Sequence, residues 1–336
     1  MNKRTHICFA ALSAALLVLF VLALLLGPVA IPAGEVWAAL LGKGDPLWAT
    51  IVLQSRLPQA VTALLAGAAL AVSGLLLQTL FSNPLAGPSI LGVSDGANLG
   101  VAVVMLSVGA GAGLGFWLTT VLAAMAGSAV VLGLIVAFAR RVKSSTMLLI
   151  IGIMIGYIAS SLISILNFHA AADQVHRYVM WGMGDFSSVT MDRLPYFCSF
   201  VLLALAASLL LVKPLDALLL GEAYAANLGV NVQRTRVWIM LCTGLMTAAV
   251  TAFCGPISFI GLAVPHIARL MLGSSNHHNL LPVTLLAGAC LALLCSILTC
   301  LPGTSSVLPL NAVTPLFGAP VIIYVIMNRR KIHYFN

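Results

Sequence analysis

KPLDALLLGEAYAANLGVNVQRTR, residues 213–236, is a polar, helix-compatible block in a chain that is otherwise almost wholly apolar. Of 336 residues, 61% are hydrophobic and only 7% charged, and the mean hydropathy is +1.12, so lipid is the solvent of this chain. A membrane-spanning helix takes ~20 apolar residues. The hydropathy pattern therefore predicts an all-α polytopic membrane protein, a single transmembrane domain over 1–336 with about ten spans. They fall near 7–27, 57–80, 89–107, 114–139, 147–168, 194–212, 235–254, 256–272, 279–301 and 306–327. A polar block kept between two such spans is expected to touch something outside the bilayer.

Residues 7–26 carry no charge and are too long for the apolar core of a signal peptide, so they are expected to stay as a signal anchor. Orientation follows from the basic residues, because Lys and Arg near span ends remain in the cytoplasm. With both termini inside, twelve of the sixteen fall on the cytoplasmic side: Lys3, Arg4, Arg140, Arg141, Lys143, Lys213, Arg234, Arg236, Arg269, Arg329, Arg330 and Lys331. Lys43, Arg56, Arg177 and Arg193 fall outside. The net charge of +8 thus records topology and gives no argument for nucleic acid.

No metal or catalytic centre is expected. The seven cysteines include no C-x-x-C pair, and the steps of five from Cys290 to Cys300 turn each sulfur ~140° around a helix, so they read as small buried residues. The histidines are dispersed, with His277 and His278 in a short inner loop and His169 and His176 outside. Small residues do form ladders: Gly152, Gly156, Ser160 and Ser164 in the fifth span, and Ala63, Gly67 and Ala71, with Gly74 near the same stripe, in the second. Such ladders let helix backbones approach closely in lipid. They predict a tight bundle, with a dimer interface or pathway as the other use of the stripe.

Two breaks interrupt the spans. SNPLAGPS, residues 82–89, is uncharged and cannot continue a helix, and Gly255-Pro256 separates the seventh and eighth spans and is expected to leave each short. Non-helical backbone at membrane depth must be buried in protein or line an aqueous cavity. Paired breaks in oppositely directed spans hint at an inverted repeat.

The chain carries no energy source of its own. No lysine stands in the Gly-Lys-Ser/Thr context of a phosphate-binding loop. Of the eight acids, nearly all lie in loops or at span ends. Asp95, inside the third span, is the one candidate coupling acid, its alternative being a structural group hydrogen-bonded near Ser94 and Asn98.

RLPQAVTALLAGAALAVSGLLLQTLFSNPLAGPSILGVSDGA at 56–97, LGEAYAANLGV at 220–230, GPISFIGLAVPHIARLMLG at 255–273 and the late Gly318-Ala319-Pro320 together resemble the FecCD-type permeases. These are the membrane subunits of ATP-binding-cassette importers for iron-siderophore complexes, haem and cobalamin. The resemblance implies a type II importer permease: a homodimer in the bacterial inner membrane, two cytoplasmic ATPase subunits that bind ATP and Mg, and an external substrate-binding protein, periplasmic or lipid-anchored. It implies no cofactor on this chain. The loop at 213–236 would be the ATPase-coupling element, with Leu220, Gly221, Glu222, Ala223, Ala226, Leu228 and Gly229 at its contact. In it Pro214 starts one short helix, Gly221 breaks it, Glu222 opens a second and Gly229 ends it.

Arg56 would dock the binding protein. Gln59 stands where a second arginine is common, and Cys295, Ser296, Thr299 and Cys300 replace charged residues late in the ninth span. Asn83 and Leu85, with Ser144, Ser145 and Thr146, are expected to form the inner gate near the dimer axis. An iron complex is the favoured cargo and cobalamin the second. A reading of another class, an ion-coupled secondary carrier or a metal-binding membrane enzyme, would need intramembrane carboxylates or clustered ligands that the sequence lacks.

Overall fold

The computed structural model describes residues 3–108, 114–142, 144–300 and 308–328, and every regular element in them is helical. The chain opens with α1 (Lys3–Leu25), the short α2 (Ala33–Leu40) and α3 (Pro46–Ile51). Through a π-helical turn at Val52–Arg56, α3 runs on into α4 (Leu57–Leu80). After the first break come α5 (Val93–Ala102), α6 (Leu114–Arg141), α7 (Ser145–His169) and the surface helix α8 (Ala172–Gly182). Next are α9 (Leu194–Leu209), the short α10 (Val212–Leu218) and α11 (Glu222–Asn227), and then α12 (Val232–Cys254). Beyond the second break, α13 (Ile260–Leu272), α14 (His277–Thr299) and α15 (Leu310–Met327) complete the bundle.

Among the described residues seven helices are long and apolar enough to cross a bilayer, and α9 with α10, bent by 55°, makes an eighth. Two further apolar helices, Val93–Ser107 and Ile260–Leu272, are shorter. At 1.5 Å per residue the latter reaches only about 20 Å, against a hydrocarbon core of about 30 Å. The ten expected spans thus correspond to eight by length plus two short ones. The expectation for Gly255-Pro256 is corrected: α13 is short, but α12 has 23 residues. Asn231 caps it by accepting from the Arg234 N–H at 2.9 Å, so the helix begins in its polar first turn.

The core is built around α4. Its most apolar window is 83% buried and that of α12 78%, whereas α1 is only 17% buried and forms the rim. What allows one helix to be surrounded is the small-residue ladder. Ala63 and Ala71 are fully buried. A Cβ on Gly67 would stand 2.3 Å from the Gly288 carbonyl oxygen on α14, and one on Gly74 only 1.7 Å from that of Gly261 on α13. The ladder on α7 divides. Gly152 and Gly156 are buried, Gly152 against Ile90 and Leu91, while Ser160 and Ser164 face outward.

Both breaks keep part of their backbone buried, Ala86, Gly87 and Pro88 in the first and Gly255 in the second, and are stitched by side chains. In the first, Asn83 Oδ1 accepts from the Leu85 N–H at 2.9 Å, and His266 Nε2 donates to the Pro84 carbonyl at 2.7 Å. In the second, Asn311 accepts from the Ser258 N–H at 3.0 Å and donates to the Pro256 and Gly182 carbonyls at 2.7 and 3.2 Å. Ser82 and Phe259, the two non-glycine residues with positive φ among the described residues, sit one in each break.

Arginines close helix ends in the same way. Arg4 donates to the Met271 and Leu270 carbonyls at the end of α13, at 2.8 and 2.9 Å. Arg56 donates to Leu24 and Leu25 at the end of α1, at 2.9 and 2.8 Å, and to Val29. Free carbonyls at a helix C-terminus carry partial negative charge, which a guanidinium matches. The described basic residues also sort by end. Lys3, Arg4, Arg140, Arg141, Lys213, Arg234, Arg236 and Arg269 share the end that holds α10 and α11, and Lys43, Arg56, Arg177 and Arg193 the other. Lys143, Arg329, Arg330 and Lys331 lie outside the described residues.

Gly74→Ala should lower the stability of the purified protein by ~1–3 kcal/mol, through the overlap with Gly261. Gly133→Ala, where no atom lies within 4 Å of the new methyl, should leave it unchanged or slightly raised in thermal unfolding. Arg56→Gln should destabilise by roughly 1.5–3 kcal/mol, the usual cost of losing charged hydrogen bonds. An unchanged melting temperature would instead assign Arg56 to recognition at the surface.

Candidate functional site

The polar block folds as expected from its glycines, with one shift: the first helix starts at Val212, two residues before Pro214. Gly221 has φ +97° and separates α10 from α11, and Gly229 has φ +85° and ends α11's turn. No atom lies within 4 Å of a Cβ placed at either, so glycine is required by backbone conformation alone. Leu215, Leu218 and Ala225 are buried beneath the segment, whereas Leu220, Tyr224 and Leu228 are more than half exposed. Ala223 and Ala226 are exposed beside them. Apolar side chains gathered on a polar loop beyond the bundle mark a contact surface.

Two acids fasten the segment to the bundle. Asp216 Oδ1 accepts from the His277 backbone N–H at 2.7 Å and from its Nδ1 at 2.8 Å. His277 was expected in a loop, but it is the fully buried first residue of α14, and its Nε2 lies 2.8 Å from Thr79 Oγ1 in the last turn of α4. Glu222 Oε1 accepts from Ser145 Oγ at 2.7 Å and from Arg236 Nη2 at 2.8 Å. Arg236 also donates to the Val142 carbonyl at 3.0 Å and is 2% exposed, so it is a buried strut.

The expected gate residues lie at this same end. Ser144 caps α7, Ser145 carries the bond to Glu222, and Thr146 is exposed. Leu85 is 42% exposed and Asn83 half-buried, four residues beyond Thr79. Behind them Arg269 Nη1 donates to Gln78 Oε1 at 2.6 Å, and Gln78 Nε2 to the Leu262 carbonyl at 3.1 Å, which locks the last turn of α4 onto α13. Asp216, His277, Thr79, Arg236 and Gln78 were not singled out in the sequence. Their partners are far along the chain, and only Glu222 and Ser145 were already flagged, for other reasons.

At the opposite end Arg56 is 5% exposed, its guanidinium turned inward onto the end of α1. It borders a cavity of ≈ 180 Å³ together with Gln59, Ser296 and Cys300. Gln59 Nε2 donates to Ser296 Oγ at 3.3 Å and meets Cys300 Sγ at 3.5 Å. The positions where charges were missing therefore face each other, and no half of an ion pair is stranded. Asp95 forms no hydrogen bond with Ser94 or Asn98; its carboxylate turns to α7, where a Cβ on Gly156 would stand 2.5 Å from Oδ2. Among the described residues no group of three His, Cys, Asp or Glu side chains gathers to hold a metal ion.

Comparisons with known proteins agree with this architecture. The chain is 38% identical over 319 residues to the vitamin B12 import system permease protein BtuC of Shigella boydii serotype 18, covering 94% of each chain. It is 38% identical over 322 residues to that of Escherichia coli O9:H4, again covering 94% of each. A solved structure of a metal-chelate type ABC transporter in an inward-facing conformation superposes with a TM-score of 0.83 at 29% identity, covering 96% of this chain and 99% of that one. Residues 15–328 match the FecCD transport family. With its breaks, its helical bundle and its polar two-helix segment, this multi-pass inner-membrane protein belongs to the FecCD transport family, the permease subunits of ABC importers.

Proposed function

We propose that this chain is the permease of a cobalamin importer, in which two copies enclose the pathway and two separate subunits hydrolyse ATP with Mg. The observation that carries the cargo is the 38% identity, over 94% of both chains, to permeases named for vitamin B12 import. The sequence had favoured an iron complex with cobalamin second, and these relatives reverse that order. A metal-chelate transporter as structural neighbour is compatible with either, since cobalamin is itself a chelate of cobalt.

The family implies an ATPase and a substrate-binding partner, and the two ends of the bundle suit them differently. The exposed apolar face of Leu220, Gly221, Glu222, Ala223, Ala226, Leu228 and Gly229 is the seat for the ATPase. It lies at the end rich in Lys and Arg, which the positive-inside rule assigns to the cytoplasm together with both termini. A chain without a nucleotide site receives energy only through mechanical contact, and this segment has two short helices with a glycine hinge between them. Asn83, Leu85, Ser144, Ser145 and Thr146 form the inner gate at that end. The external binding protein, periplasmic or lipid-anchored, docks at the other. Because the Arg56 guanidinium is engaged on α1, its part in docking is to hold the end of α1 and the 26–29 turn in place.

Reconstituted in liposomes with its ATPase and binding protein, the permease should take up cobalamin only when ATP is supplied on the ATPase side. Uptake of a ferric siderophore in its place would move the cargo to iron, and uptake without any ATPase would favour an ion-coupled carrier centred on Asp95. Gly229→Val should penalise the left-handed turn by ~1–2 kcal/mol, and Ala226→Arg should obstruct seating. Both variants should insert normally yet lose transport and binding-protein-stimulated ATP hydrolysis together. Full transport in either would place the coupling contact elsewhere, with 140–146 as the next segment to test.

A further inference from the structure

The two acids of the coupling segment do not anchor it to the same part of the bundle. From Asp216 the contacts run to His277 (2.7 and 2.8 Å) and on to Thr79 (2.8 Å), one turn before Asn83 and Leu85. From Glu222 they run to Ser145 (2.7 Å), itself within the other gate segment, and to Arg236 (2.8 Å), which ties back to Val142 (3.0 Å). Between the two acids lies Gly221 at φ +97°, with no atom within 4 Å of its Cβ position, so α10 and α11 are joined by a link that packing does not stiffen. Hydrogen bonds to a charged acceptor are about twice as strong as neutral ones and directional. A displacement of either short helix is therefore carried along its own line of contacts and not shared through the link.

We propose that Asp216 and Glu222 are positioning residues that drive the two gate segments separately, Asp216 acting through His277 and Thr79 on Asn83 and Leu85, and Glu222 acting through Ser145 and Arg236 on Ser144 to Thr146. The proposal rests on the coupling and gate roles given above. Rigid packing alone would not produce this division, because a loop that merely stabilised the bundle would affect both gate segments or neither.

The test uses the full transporter, with ATPase and binding protein, in liposomes. In a background where the native cysteines are replaced, a single cysteine is placed at Leu85 or at Thr146, both exposed. Its rate of modification by a maleimide is measured with and without ATP and vanadate. With the acids intact, both rates should change with nucleotide. Asp216→Ala should abolish the change at position 85 and leave that at 146; Glu222→Ala should do the reverse. Because Asp216→Ala leaves a buried histidine without its acceptor and risks misfolding, Thr79→Val, of nearly the same shape, breaks the same line further along and should give the same pattern. Equal loss at both positions in each variant, or loss at neither, overturns the division while leaving the coupling role in place. Absence of any nucleotide response with both acids present, in vesicles that transport, overturns the gate assignment and the proposal with it.

Discussion

The structure depends on one constraint: within a bilayer, no water is available to the backbone, so each N–H and C=O that leaves a helix must find a partner in the chain. A helix solves this internally, and this chain departs from the helix at two points inside the bundle. At each departure a side chain takes the role of solvent. Asn311 serves three backbone groups around the second break, and Asn83 and His266 serve the first. Helix ends are treated alike, by Arg4 on α13 and Arg56 on α1. The side chains that bond the irregular backbone are thus polar residues kept in a chain that is otherwise largely apolar.

The same economy explains the placement of α4. Small residues let α13 and α14 approach it at backbone distance, so it becomes the shaft of the bundle, with Arg56 at its start and Gln78 and Thr79 at its end. Its inner end leads into the first break through a polar cluster that includes Arg269, His266 and His277, all buried. Buried charge and imidazole in a membrane protein are costly unless they are well bonded, and they are kept where function needs them. Here they join the segment from α10 to α11 to the helix at the centre of the bundle.

Much of this was legible in the sequence, for reasons that differ by feature. The bundle was legible because hydropathy is a local property summed over ~20 residues. Gly221 and Gly229 were legible because a positive φ selects glycine whatever surrounds it. The breaks were legible because proline cannot continue a helix. By contrast, α2, α3 and α8 are short and peripheral, and no hydropathy window isolates them. The burial of Arg236 and Arg269 was not legible, because a topology rule assigns a side to each charge and says nothing of its burial. The pairs that fasten the coupling segment lie 61 residues apart for Asp216 and His277 and 77 for Glu222 and Ser145, distances that only the fold can close. For Arg56 the sequence located the residue at a span end but not the carbonyls it faces.

The seating of a separate ATPase on the segment from α10 to α11 is what we propose. It is tested most directly by a photo-cross-linking amino acid placed at Tyr224, which is 54% exposed on that segment. Irradiation of intact cells, followed by isolation of the permease, should yield an adduct with an ATP-binding subunit. An adduct with the external binding protein, or with lipid alone, would contradict the account.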